Sequence, residues 1–111
     1  MNCIPDTEAI DGAEAAYPAL AQLCGGYYHQ DWREDHASSG QALQGFIRDA
    51  SPETVSAAAR DIDRLLGAGF DDVALARLLA DGLDCNYVAE TEGVGAGAWL
   101  ASVRDSLRAT A

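Results

Sequence analysis

Ser51-Pro52-Glu53-Thr54-Val55-Ser56-Ala57-Ala58-Ala59-Arg60-Asp61-Ile62-Asp63-Arg64-Leu65-Leu66-Gly67 has the start, face and stop of a helix in one stretch. Serine suits the N-cap, proline the first helical position, and an acid the first turn, where it meets the positive end of the helix dipole. Val55, Ala58, Ala59, Ile62, Leu65 and Leu66 then recur at helical spacing, and Gly67 and Gly69 end the segment. Toward the N-terminus, Ala42, Leu43, Phe46, Ile47 and Ala50 form a second apolar face, with Ser38 or Ser39 as its cap. Before that, Pro18 opens a helix with Leu20, Leu23, Cys24, Tyr27 and Tyr28 on one side. Gly25 and Gly26 lie inside it at a cost of about 1 kcal/mol each against alanine, which suggests close approach of a neighbouring helix or else a local kink. Toward the C-terminus, Asp71 is placed to cap a helix carrying Leu75, Leu78, Leu79 and Leu83. A last helix with Trp99, Leu100, Val103 and Leu107 starts after Gly93-Val94-Gly95-Ala96-Gly97. Period-2 alternation is confined at most to Cys85–Ala89. The expected fold is all-α: a compact bundle of about five helices forming a single domain over residues 17–111. Residues 1–16 read as an acidic lead, either poorly ordered or a weak helix.

The chain has 111 residues, 18 acids against 7 bases (every one an arginine), and a formal net charge of −11. With 49% of residues hydrophobic, this acidity belongs to a folded surface and not to a disordered chain. Direct binding of nucleic acid needs clustered Lys and Arg, so the surface suits a basic protein partner instead. Three widely spaced cysteines, Cys3, Cys24 and Cys85, make neither a disulfide framework nor a zinc site, and Cys24 falls on the apolar stripe. No apolar run reaches 18 residues and the N-terminus lacks a basic start with an apolar stretch. The expectation is a soluble cytoplasmic protein, favoured as a monomer, with no membrane contact, metal or cofactor.

Four local features bear on chemistry. Tyr27-Tyr28-His29-Gln30-Asp31-Trp32-Arg33-Glu34-Asp35-His36 would, on one continuous helix, align His29, Trp32 and His36 on one face and pair Asp31 with Asp35 on another. That admits a small metal-dependent enzyme using His29, Asp31, Asp35 and His36. The spacing lacks the His-x-x-x-His or Glu-x-x-His pattern of such sites, so a locally bonded polar helix end is preferred. Asp105-Ser106-Leu107 matches the tripeptide that carries phosphopantetheine in acyl carrier proteins, yet Ser106 lies within a helical pattern instead of opening one. An acidic helical adaptor or carrier is therefore a lesser alternative. The glycines at 93, 95 and 97 superficially resemble a phosphate loop, but they lack its Lys-Ser/Thr, and Glu90 and Glu92 adjoin them. Last, carboxylates are spread over Asp31, Glu34, Asp35, Asp61, Asp63, Asp71, Asp72, Asp81, Asp84, Glu90 and Glu92. Those expected at helix C-termini (Asp31, Glu34, Asp35 and Asp81) would oppose the dipole, which hints at a role beyond stability.

Tyr17-Pro18-Ala19-Leu20-Ala21-Gln22-Leu23, followed by Tyr27-Tyr28-His29-Gln30-Asp31-Trp32, resembles the opening of small immunity proteins from bacterial contact-dependent growth inhibition systems. Ala50-Ser51-Pro52-Glu53, Asp63-Arg64-Leu65-Leu66 and Trp99-Leu100 are similar to that family's second half, so the resemblance spans about residues 17–108. Tyr28 departs from the phenylalanine expected there and adds a hydroxyl that needs a partner if buried. The resemblance implies an inhibitor and no enzyme. It would bind the toxic C-terminal domain of an effector, commonly a nuclease, and occlude its basic active-site cleft. Asp71, Asp72, Asp84, Glu90 and Glu92 are the expected toxin contacts. Tyr27, Tyr28, His29, Gln30, Asp31 and Trp32, the signature, are expected to serve the shared scaffold more than the toxin-facing surface.

Overall fold

Serine and aspartate caps mark three helix starts in the computed structural model, which describes residues 12–87 and 93–110. A short turn α1 (Ala13–Ala16) precedes α2 (Pro18–Tyr27), α3 (Trp32–Asp35), α4 (Ser39–Asp49) and α5 (Pro52–Leu66). Then come α6 (Asp72–Arg77), a π-helical turn over Leu78–Gly82, and α7 (Ala96–Thr110). No strand occurs among the described residues. The fold is all-α, with α2, α4, α5, α6 extended by its π turn, and α7 as the five longer segments. Ser38 Oγ accepts from Gln41 N at 3.1 Å, Ser51 Oγ from Thr54 N at 3.1 Å, and Asp71 Oδ1 from Ala74 N at 2.8 Å.

Helix α5 is the axis of the bundle and packs chiefly on α7 and α2. It buries Val55, Ala58, Ala59, Ile62 and Leu65 against Trp99, Leu100, Val103 and Leu107 of α7 and Leu20, Leu23 and Cys24 of α2. Each fully buried Leu or Ile contributes roughly 1.5–3 kcal/mol of hydrophobic stabilisation. The Cα radius of gyration, 12.9 Å, matches the roughly 13 Å of a compact chain this long. Ala13 of α1 is fully buried in the same core.

Two sequence expectations change here. Helix α2 does not continue through the His-Gln-Asp stretch. The Tyr28 carbonyl accepts from Asn86 N at 2.7 Å and the His29 carbonyl from Trp32 N at 3.0 Å, so the i→i+4 ladder ends at Tyr27 and a separate turn begins at Trp32. Asp31 becomes the residue before α3, and Glu34 and Asp35 lie in that helix's first turn. These three therefore do not sit at the end of a long helix against its dipole, and that part of the functional hint falls away. Gly25 and Gly26, in turn, are exposed and a Cβ on either would meet nothing within 4 Å. No neighbouring helix needs them.

Candidate functional site

The polar residues of the central helices are committed to joining helices. Asp61 lies on the buried side of α5, one turn from Ala58 and Leu65, and is 5% exposed. Its Oδ2 accepts from Ala19 N at 2.9 Å and Leu20 N at 3.1 Å. Helix α2 begins at Pro18 and gains no side-chain cap from Tyr17 before it, so Asp61 satisfies those free N–H groups from another helix. Arg64 donates to Asp61 Oδ1 and to the Ala16 carbonyl, both at 2.6 Å, and its guanidinium covers the Tyr17 ring at 5.1 Å. Farther along α5, Asp63 accepts from Arg104 at 3.0 Å and also from Arg108, which ties α5 to α7. Sequence reasoning placed Asp61 and Asp63 only within the spread of carboxylates along the chain. The signal for Asp61 was its register, since positions 58, 61, 62 and 65 share one face.

The signature segment turns inward at its aromatics. Tyr28 is fully buried, and its hydroxyl donates to the Ser39 carbonyl at 2.7 Å, which satisfies the extra polar atom. Its ring meets Trp32 at 5.9 Å, Tyr87 at 5.7 Å and Trp99 at 5.4 Å, so three separated stretches of chain close one aromatic cluster. Tyr27 packs edge-on to Phe46 at 5.6 Å and donates its hydroxyl to Asp49 at 2.9 Å. Desolvation and the Asp49 carboxylate raise the Tyr27 pKa, while the hydroxyl, with Arg48, lowers that of Asp49. His29 Nε2 meets Asp35 Oδ2 at 2.8 Å and its Nδ1 accepts from Asp31 N at 3.0 Å. His36 instead stacks on Tyr27, with ring centroids 6.0 Å apart. Both ring nitrogens of His29 are thus engaged, and His29, Asp31, Asp35 and His36 do not converge as a metal-dependent enzyme would require. Among the described residues no group of three His, Cys, Asp or Glu is placed to hold a metal. Gln30 and Asp31 are exposed. Ser106 lies inside α7, one turn from its end, and opens no helix.

The sequence-predicted contact residues fall into two groups. Asp71 caps α6, and Asp72 Oδ1 accepts from Gly97 N at 3.0 Å. Gly97 is in the first turn of α7, so Asp72 occupies the anion position at that helix end, and the glycine-rich stretch serves a carboxylate of the chain itself. A Cβ on Gly95 would lie 2.4 Å from Asp72 Oδ2, which explains a glycine there. Asp84 lies beyond the far end of α6 and its π turn, separated from Asp72 by roughly 15 Å of helix. It is exposed and holds φ at +55°. Glu90 and Glu92 lie outside the described residues, as do Cys3 and most of the acidic lead. Asp71 and Asp72 are exposed despite their capping bonds. Between Asp72 and Ala74 stands Val73, 75% exposed; Val94, 37% exposed, immediately precedes Gly95. Sequence reasoning passed over both valines, which neither apolar stripe includes.

The fold and these interactions define a small, acidic, all-helical protein in which the resemblance-bearing segments hold the scaffold together. Tyr17 meets Arg64, Ala19 and Leu20 meet Asp61, and Tyr28 meets Trp99. The chain belongs to the CdiI immunity protein family, whose model matches residues 16–107. Among solved structures, a chain of the CdiA-CT/CdiI complex from Y. kristensenii superposes with a TM-score of 0.80 at 24% identity, over 86% of this chain and 96% of that one. That likeness establishes a shared fold. No curated protein matches the chain. None of the helices among the described residues is long and apolar enough to cross a membrane.

Proposed function

We propose that this chain protects the cell that makes it by binding the toxic C-terminal domain of a contact-dependent growth inhibition effector in the cytoplasm. The toxin is a nuclease, and the bound protein occludes its basic cleft. The family match over residues 16–107 carries the immunity reading, and the solved relative is a complex of a CdiI with a CdiA-CT. The net charge of −11 supports the basic cleft, because a surface that holds phosphates also attracts carboxylates.

The contact surface we favour begins at the N-terminal end of α6. There Val73 and Val94 supply exposed apolar area beside the carboxylates of Asp71 and Asp72. An apolar centre with a charged rim is the usual make-up of a protein interface. Asp84, exposed beyond the π turn, and Glu90 and Glu92, which follow it in sequence, are the further carboxylates we assign to toxin contact. The test is stopped-flow association with the toxin domain encoded beside this protein. Wild-type association should slow steeply with salt, and the Asp84→Asn/Glu90→Gln/Glu92→Gln variant should associate about tenfold more slowly at low salt with a melting temperature no lower than that of wild type. Association that is independent of salt and of these charges would refute the charge-led mode. Absence of any binding to that domain would refute the immunity reading.

A further inference from the structure

Two thiols meet inside the bundle with no part in the surface just described. Cys24 on α2 is fully buried and Cys85, just after the π turn, is 3% exposed; both are free thiols. Cys85 Sγ donates to the Tyr87 carbonyl at 3.9 Å, and the two thiols are near enough for each to perturb the other. The backbone holds them there. Tyr28 N bonds the Cys24 carbonyl at 3.0 Å, the Tyr28 carbonyl accepts from Asn86 N at 2.7 Å, and Cys85 N bonds the Leu79 carbonyl at 2.9 Å. The bond from Asn86 N to the Tyr28 carbonyl therefore latches the end of α2 to the residue after Cys85, although the two cysteines are far apart in sequence.

We propose that Cys24 and Cys85 form a reversible redox pair, which peroxide converts to an internal disulfide joining α2 to the segment that follows the π turn. Cys85 reacts first. It lies in a non-helical stretch between exposed Asp84 and Asn86, where local opening is least costly. Burial holds the Cys24 thiol in its protonated form, so the sulfur on the opening segment, Cys85, is the one peroxide reaches first. The Cys85 thiolate attacks one peroxide oxygen, the O–O bond breaks, hydroxide leaves, and a sulfenic acid remains. The Cys24 sulfur then attacks the Cys85 sulfur, the S–O bond breaks, and water departs with the Cys24 proton. In sum, two thiols and one hydrogen peroxide give one disulfide and two waters. A dithiol reductant reverses it. This step is independent of the identity of the toxin.

The test uses the full chain with Cys3→Ser, which removes the third thiol. After brief treatment of native protein with hydrogen peroxide, the intact mass should fall by two hydrogens and return on adding dithiothreitol. Trypsin, cutting after arginine, should leave the peptide that ends at Arg33 linked to the one running from Leu78 to Arg104. The linked protein should unfold at higher urea than its reduced form, since a bond that fits the native fold restricts the unfolded chain. Added oxygen on separate cysteines without a link, a disulfide between two chains, or a linked form that unfolds at lower urea would each overturn the proposal. So would native thiols that stay reduced under peroxide that oxidises the urea-unfolded chain.

Discussion

At Asp61 one buried carboxylate receives two backbone N–H groups of α2 and the Arg64 guanidinium. Truncation strands donors that have no other partner, and a stranded buried donor costs more than a typical hydrogen bond contributes. Asp61→Ala is expected to lower stability by about 2–4 kcal/mol in urea unfolding, and Asp61→Asn, which keeps an acceptor oxygen, by less. A loss within experimental error for Asp61→Ala would mean that the α2 terminus finds other partners. Tyr27 and Asp49 make a second testable contact. The depressed Asp49 pKa contributes stability that is present above the unfolded carboxylate range near about 4 and is lost as pH falls through the folded value. The raised Tyr27 pKa contributes stability that is full below about 10 and is lost as pH rises through the folded value. The stability difference between wild type and Tyr27→Phe should therefore form a plateau at neutral pH and shrink at both ends. In carboxyl NMR, the Asp49 titration of Tyr27→Phe should move up. An unchanged Asp49 titration would contradict the bond.

Among elements, α7 owes its start to α6. Asp72→Ala removes the acceptor for Gly97 N and should cost about 1 kcal/mol, as loss of a helix cap does. Gly95→Ala pushes a methyl onto the Asp72 carboxylate and should cost about 1–3 kcal/mol. The two changes share one contact, so the double variant should lose less than the sum; strict additivity in denaturant unfolding would show that the contact is not the cause. Helix α2 offers the opposite case. Gly25 and Gly26 face open space, so Gly25→Ala and Gly26→Ala should each raise stability by about 0.5–1 kcal/mol. Destabilisation at either position would reveal a neighbour that the fold does not show. The serine and proline signals of α4 and α5 were legible because such caps act within three residues. The end of α2 was not, because it depends on Asn86, far along the chain.

For the whole molecule, the charge of −11 is unevenly available. Asp61 and Asp63 are consumed by Arg64, Arg104 and Arg108 within the bundle, whereas Asp31, Glu34 and Asp84 remain exposed at the surface. Self-repulsion of this excess opposes compactness and is screened by salt. The free protein should melt higher in 0.3 M salt (about a 6 Å screening length) than in 0.01 M (about 30 Å), while its association with the toxin slows over the same range. Two trends of opposite sign from one charge excess are a stringent check. A melting temperature that falls with salt would mean that the internal ion pairs outweigh the repulsion.

By itself the sequence determined the helical class, most helix starts, the apolar faces and the family resemblance, because capping and 3.6-residue periodicity are local properties of neighbouring residues. Tertiary structure decided which carboxylates are structural. Asp61 and Asp72 cap helices other than their own, and no local pattern shows a donor more than twenty residues away. The same packing ended α2 at Tyr27, since the Tyr28 carbonyl and ring found partners in Asn86, Tyr87 and Trp99. It also brought Cys24 against Cys85, a meeting set by the burial of both and written in neither segment alone.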